Sequence, residues 1–413
     1  MNPFLSLKHY YEVPKYPAIE LRAFTHGLMP RSVPAMMQRF TEDWQQQGVD
    51  AWNHIPNHWK SDSSEQVGWW NLPEYLADAF IAPMLGAPAG ACILLPNVHA
   101  AITSLMTCDH LFRHRKTVVV SADAFPSVLF PIQQWAALYQ LEIRLIPTDT
   151  DGFCDQDSVY AAIQADTALV FLSHVGFTTS EVLSHTFLRE VAKKIHQIGG
   201  LLVVDGYHAT GAIPTDIDGM EADLYVGGLL KEASGSTGNG YLYIRPGLDL
   251  KPRNAGWFAD AAPFSFNTSP AWHPTVRRRF MGGTTAIAPL YHAIEVLKCL
   301  LKVGIDLVRA HTLALTAHAI DHIKALPITL RSPVEPEKRG PMLILEMPHA
   351  DHMCHYLKKH HIFTDSRKGN LLRLAPFVWN NQTEIDQTFE FIGDTLKSKS
   401  YLHTSFQLEG PVT

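Results

Sequence analysis

Two short runs, Leu201-Leu-Val-Val-Asp205-Gly-Tyr-His208 and Asp223-Leu-Tyr-Val-Gly-Gly-Leu-Leu-Lys231, carry the fold of this 413-residue chain. Four consecutive apolar residues ending on a carboxylate describe a strand covered on both faces, because a half-exposed strand alternates apolar and polar side chains. The second run ends 26 residues beyond Asp205, on Lys231, and leads into the small-residue stretch Ala233-Ser-Gly-Ser-Thr-Gly238. In an open α/β sheet, ligands bind outside the carboxyl ends of the strands. Taken singly, Asp205 also reads as a helix cap or turn residue, and Lys231 as a lysine lying along the surface. Both at strand exits of one sheet, they describe a site: a lysine stripped of water there becomes a nucleophile.

The same pattern extends outward from these runs. Apolar segments of strand length stand at 118–121, 142–147, 169–175 and 240–244, with helical periodicity between several of them, at 130–141, 158–165 and 186–198. Alternating strands and helices predict an α/β fold with a mainly parallel sheet and helices on both faces. The first 75 or so residues lack periodicity and read as an irregular arm packing on the small domain. A long helical pattern begins at Ala288 and extends toward Ala325, and short strands (342–346, 371–374) then alternate with helices (353–360, 384–397). The expected division is an arm over 1–75, a large domain over 76–285 and a smaller α+β C-terminal domain over 286–413.

Composition narrows the function. Hydrophobic residues make up 46% and charged residues 18%, with a net charge of −6. That excludes a disordered chain and lacks the basic footprint of a nucleic-acid binder. The longest apolar tract, Leu85 to Met106, is interrupted by glycine, proline, asparagine and histidine, and falls short of the ~18 apolar residues of a membrane span. The first eleven residues lack the apolar core of a signal peptide. Five scattered cysteines fit a reducing cytoplasm rather than a disulfide framework. No metal site is expected: His352, Cys354, His355, His360 and His361 lack paired zinc spacing and read as a solvated helical face, and His110 and His114 read as surface histidines on a helix without the glutamate of a zinc-protease motif.

A lysine and a carboxylate ending two strands of one sheet suit pyridoxal 5'-phosphate, with the lysine holding the cofactor as a Schiff base and the carboxylate keeping its ring nitrogen protonated. Here the chain resembles the aminotransferase class V group of fold-type I pyridoxal phosphate enzymes, in the branch of kynureninase, isopenicillin N epimerase and the cysteine desulfurases. Asp205-Gly-Tyr-His208 is similar to the group's Asp-x-x-His segment, and Asp223 to Lys231 with Gly240 to Arg245 resembles its lysine strand and following hairpin. Ala124-Phe-Pro-Ser127 and Leu372-Arg-Leu-Ala-Pro376 resemble two kynureninase motifs.

The resemblance implies a role for each matching position. Lys231 is the Schiff-base lysine and proton shuttle at Cα, Asp205 pairs with the ring nitrogen, and His208 lies beside the ring. Phe125 stacks on the cofactor, and Ser127 or Ser173 adds polar contacts. Backbone amides at His99 and Ala100 open a helix whose N-terminus holds the phosphate. Trp257 and Thr284 reach the phosphate, often from a partner subunit, and Arg373 binds the substrate carboxylate. A homodimer acting on an α-amino acid is expected, most directly by cleavage or elimination at Cβ. Transamination, epimerisation and carbon–carbon bond formation on the same scaffold stay open, as does a non-catalytic binding role. The chain also departs from its relatives. Leu230 stands where kynureninases carry tyrosine, Val128 where they carry aspartate, and the mobile cysteine of desulfurases has no counterpart near Arg373.

Overall fold

In the computed structural model, which describes residues 8–13, 18–56, 67–269 and 271–403, the apolar runs pair as one large sheet. Strand β1 (Ile19–Glu20) lies in the N-terminal segment. Strands β2 (Cys92–Leu95), β3 (Thr117–Ser121), β4 (Glu142–Ile146), β5 (Thr167–Ser173), β6 (Leu201–Asp205), β7 (Leu224–Gly228) and β8 (Gly240–Ile244) follow. Their order across the sheet is β2-β8-β7-β6-β5-β3-β4. The run from β7 to β4 is parallel, and β8 is antiparallel to both neighbours. Neighbouring residues on a strand enter different cores: Val119, Val170, Leu202 and Val204 pack on one face, and Val118, Val120, Leu169 and Val203 on the other. Each such burial contributes roughly 1.5–3 kcal/mol, which is why these strands carry no polar face. Asp223, at the mouth of β7, is fully buried and accepts from the Leu202 amide (2.7 Å) and Arg245 Nε (2.7 Å).

The longer helices are α1 (Val33–Gln47), α2 (Val98–Met106), α3 (Pro126–Tyr139), α4 (Gln156–Ala162), α5 (His185–Gln197), α6 (Ala288–Val303), α7 (Ile305–Ile323), α8 (Ala350–Lys359) and α9 (Gln382–Ser398). Helix α5 shows their logic: Ser184 caps it by accepting from the Phe187 amide, and Phe187, Leu188, Val191, Ala192 and Ile195 form its buried stripe. No helix among the described residues is long and apolar enough to cross a membrane. The smaller sheet takes β9 (Thr329–Leu330), β10 (Leu343–Glu346), β12 (Asp365–Arg367) and β13 (Leu371–Leu374) in the order β12-β13-β10-β9, while β11 (Ile362–Phe363) pairs in parallel with β1.

Several expectations are corrected. The opening residues are not wholly irregular, since α1 spans fifteen residues and docks on α6, where the Tyr291 hydroxyl donates to Asp43 (2.6 Å). Its two buried residues, Met36 and Asp43, give almost no apolar period to read. The helical pattern from Ala288 is two helices: Gly304, at φ +86°, ends α6, and its amide donates to Leu300. Strand β2 lay hidden in an apolar tract that also contains α2. His110 sits in a short 3-10 turn, Asp109–Phe112, so it shares no helix with His114. Cys354 faces the core beneath α8, where its thiol donates to the Thr364 carbonyl, and His360 and His361 lie beyond the helix end.

Candidate active site

The carboxyl ends of β5, β6 and β7 lie side by side, so Ser173 pairs in register with Asp205, and Asp205 with Val226. Lys231 follows β7 by a short turn that bonds back onto β8, the Leu229 amide donating to the Asn239 carbonyl (2.9 Å). Gly206 is required at the turn after β6. A Cβ there would stand 1.9 Å from the hydroxyl of Tyr225, which is held against His174 Nδ1 (2.8 Å).

The Lys231 amine lies 3.0 Å from His208 Nε2 and 3.2 Å from Nδ1. It also stands 5.0 Å from the Tyr207 ring centroid, 5.1 Å from that of Phe24 and 5.7 Å from that of Phe125. Burial favours the neutral amine and lowers its pKa to about 8. His208 is buried beside the charges of Lys231 and Arg373 and is held well below the usual imidazole range. As a neutral ring it accepts a hydrogen bond from the lysine. Asp205 accepts from the Tyr207 amide (2.9 Å), but burial outweighs that bond and lifts its carboxyl to about 6. The neighbouring Glu232 is also pushed up by burial. Neither of its carboxyl oxygens meets a hydrogen-bond partner among the described residues.

Arg373 reaches the same place from β13. Only 4% exposed, it gives Nη2 to Asp365 (2.5 Å) and lies between the rings of Phe24 (5.4 Å) and Phe177 (5.3 Å). Its Nε and Nη1 have no partner among the described residues, and a carboxylate would satisfy both buried donors. Phe24 stacks on His208 at 3.7 Å with the planes 6° apart, which joins the arginine to the lysine through two rings.

A second group of the expected residues gathers at the start of α2. Asn97 caps this helix through the Ala100 amide (2.8 Å), and a Cβ on Gly240 of β8 would stand 2.7 Å from Asn97 Cα. The helix start opens on a cavity of about 330 Å³ lined by His99, Ala100, Gly282, Gly283 and Thr284. A helix N-terminus facing glycine backbone suits a phosphate. Phe125 is half-exposed and meets Phe177 edge to face, and Ser127 lies in the first turn of α3. Trp257 stands apart from the cavity lining, among Trp70, Phe264 and Phe266, and its indole N–H donates to the Pro263 carbonyl (2.6 Å).

Sequence reasoning missed Phe24, Phe177, Asp365 and Glu232. Phe24 sits in a segment without periodicity and is placed by long-range pairing: Ile19 and Glu20 pair with β11, and the Gly27 amide donates to the Leu230 carbonyl (3.0 Å). The acidic residue directly after Lys231 was the one available signal for Glu232. Lys231 and Asp205 at adjoining strand exits and the cavity at α2 together fit pyridoxal 5'-phosphate, and the free arginine donors fit an anionic group.

Comparison with known proteins identifies the family. Residues 87–370 match the family model described as aminotransferase class-V. A kynureninase of Geobacillus thermodenitrificans is 24% identical over 399 residues, covering 93% of this chain and 89% of that protein. An uncharacterised aminotransferase of Bacillus subtilis is 26% identical over 313 residues, covering 75% and 80%. Among solved structures, a cysteine desulfurase from Thermococcus onnurineus superposes with a TM-score of 0.77 at 18% identity, covering 92% of this chain and 95% of that one. The chain belongs to the aminotransferase class-V family, a family of enzymes that depend on pyridoxal 5'-phosphate.

Proposed function

We propose that the protein cleaves or eliminates at Cβ of an α-amino acid, in the manner of a kynureninase. The observation that carries this reading is the convergence of Lys231 and the free donors of Arg373 on the Phe24 ring, with Asp205 at the adjoining strand exit. When bound, pyridoxal phosphate supplies an electron sink for charge developing at Cα. The chain's own residues supply the rest. Arg373 offers its Nε–H and Nη1–H groups to the substrate carboxylate and so fixes which bond at Cα is presented. The lowered pKa of Lys231 lets its amine take and return a proton at Cα near neutral pH. His208 keeps that amine in place as an acceptor, and Asp205 would hold the cofactor's ring nitrogen in its protonated form. Phe24, Phe125 and Phe177 exclude water from the reacting atoms. His99, Ala100 and Thr284, which line the cavity at α2, would hold the phosphate, with Ser127 and Ser173 as polar supports. Likeness to kynureninases along most of the chain favours Cβ chemistry, whereas the Bacillus relative, named as an aminotransferase, favours transamination as the second reading.

The enzyme acts as a homodimer in the cytoplasm. Phe264 (63% exposed) and Phe266 (74% exposed) beside Trp257 give an apolar patch suited to a second copy. A panel of amino acids that includes kynurenine separates the reactions. Alanine and a released fragment are expected; conversion of the cofactor to its amine form, or deuterium entering Cα without net reaction, would overturn Cβ cleavage.

A further inference from the structure

The histidine surplus, 22 residues in all, has a concentration away from the site at Lys231. His318 and His322 stand one turn apart on α7 and project from the same face. Their Nε2 atoms converge on one oxygen of Asp386 from α9, at 2.6 Å and 2.8 Å. The rings are nearly perpendicular (88°), with centroids 5.2 Å apart, and His322 stacks on Phe389 at 9°. These three ligand atoms lie within 4.8 Å of one another. They face a groove of about 520 Å³ also lined by Asp321, Glu390 and Asp394.

We propose that His318, His322 and Asp386 form a binding site for a divalent transition-metal ion of the zinc class. Two imidazoles and a carboxylate are borderline ligands that suit zinc. Ligand atoms of a tetrahedral zinc stand about 3.3 Å apart, so a small opening of the present cluster admits the ion. Two nitrogens aimed at one carboxylate oxygen must both carry protons to bond it. With the ring proton on Nδ1 instead, each Nε2 and the carboxylate oxygen can donate a lone pair to a cation. The remaining coordination positions are left to water from the groove, where Asp321 and Asp394 are ion-paired with Lys324 and Lys397. The ion staples α7 to α9 within the small domain and shares no residue with the site at Lys231.

Equilibrium dialysis of the full-length, cofactor-loaded protein against zinc chloride, after chelator stripping, tests this. One zinc per chain is expected beyond whatever the H318Q/H322Q variant retains, with affinity falling about tenfold or more in that variant. The thermal midpoint of the wild type should rise with zinc, and that of the variant should not. D386N keeps both imidazoles and should weaken binding to a lesser degree, which guards against misfolding of the double variant. Equal zinc uptake by wild type and both variants, or no uptake by the wild type, would overturn the proposal.

Discussion

Two charges decide the chemistry at the scale of single residues. Burial outweighs the pull of nearby carboxylates and lowers the Lys231 amine to about 8, while Arg373 has only part of its hydrogen-bonding capacity used among the described residues. Arg373→Gln should therefore raise KM for the amino acid by about 10- to 100-fold, the loss of a charge-assisted pair, with a smaller effect on kcat. Arg373→Lys should recover only part of this, because an ammonium lacks the planar fork. Full recovery by lysine, or a loss confined to the thermal midpoint, would reduce Arg373 to the structural partner of Asp365. The carboxyl of Asp205 gives the pH dependence its sign. Lifted to about 6, it is ionised above that value and protonated below it. Turnover and cofactor retention should thus fall as pH drops through about 6, measured as kcat/KM and as absorbance of the bound cofactor, and Asp205→Asn should lose both at every pH.

Among the elements, the N-terminal segment is the one whose position the sequence conceals. It is tethered at one end by β1 on β11 and at the other by Gly27, whose amide meets Leu230. A Cβ on Gly27 would lie 2.1 Å from the Lys231 carbonyl oxygen and 2.9 Å from Ser234 Cα, both backbone atoms. Gly27→Ala should force the arm off the lysine loop, with a cost of roughly 1–3 kcal/mol in urea melts and weaker cofactor binding by absorbance titration. An unchanged titration would mean that the arm does not shape the site. The strands of the large sheet other than β2, by contrast, were legible to within a few residues, because a strand buried on both faces leaves an unbroken apolar run and its terminal charge marks the exit. Asp205 and Lys231 are local in that sense. Helix α1 was not legible because polar residues cover most of it, nor was the break at Gly304, because both flanking segments keep a helical period. Phe24 and Asp365 reach the site only through pairing between distant parts of the chain, which no local pattern encodes.

Across the whole molecule, the two faces of the large sheet and the small domain bury three apolar clusters, and some titratable groups go under with them. His174 is fully buried, bonded to Tyr225, and held neutral down to about 3. In the unfolded chain it titrates near 6.5. The unfolded state therefore takes up the proton first as pH falls, and stability is lost from about 6.5 downward. The thermal midpoint should drop between pH 7 and pH 5, and His174→Asn should flatten that dependence; an equally steep profile in the variant would place the acid sensitivity elsewhere. The effects at Lys231, Asp205 and Arg373 presuppose the central claim, that the chain holds pyridoxal phosphate on Lys231. Full-length protein incubated with the cofactor, reduced with borohydride, digested and mapped by mass spectrometry tests it most directly. The label is predicted on the peptide that contains Lys231, with the visible absorption band of the unreduced protein missing from Lys231→Ala. Protein that stays colourless, or label spread over other lysines while Lys231 remains unmodified, would contradict it.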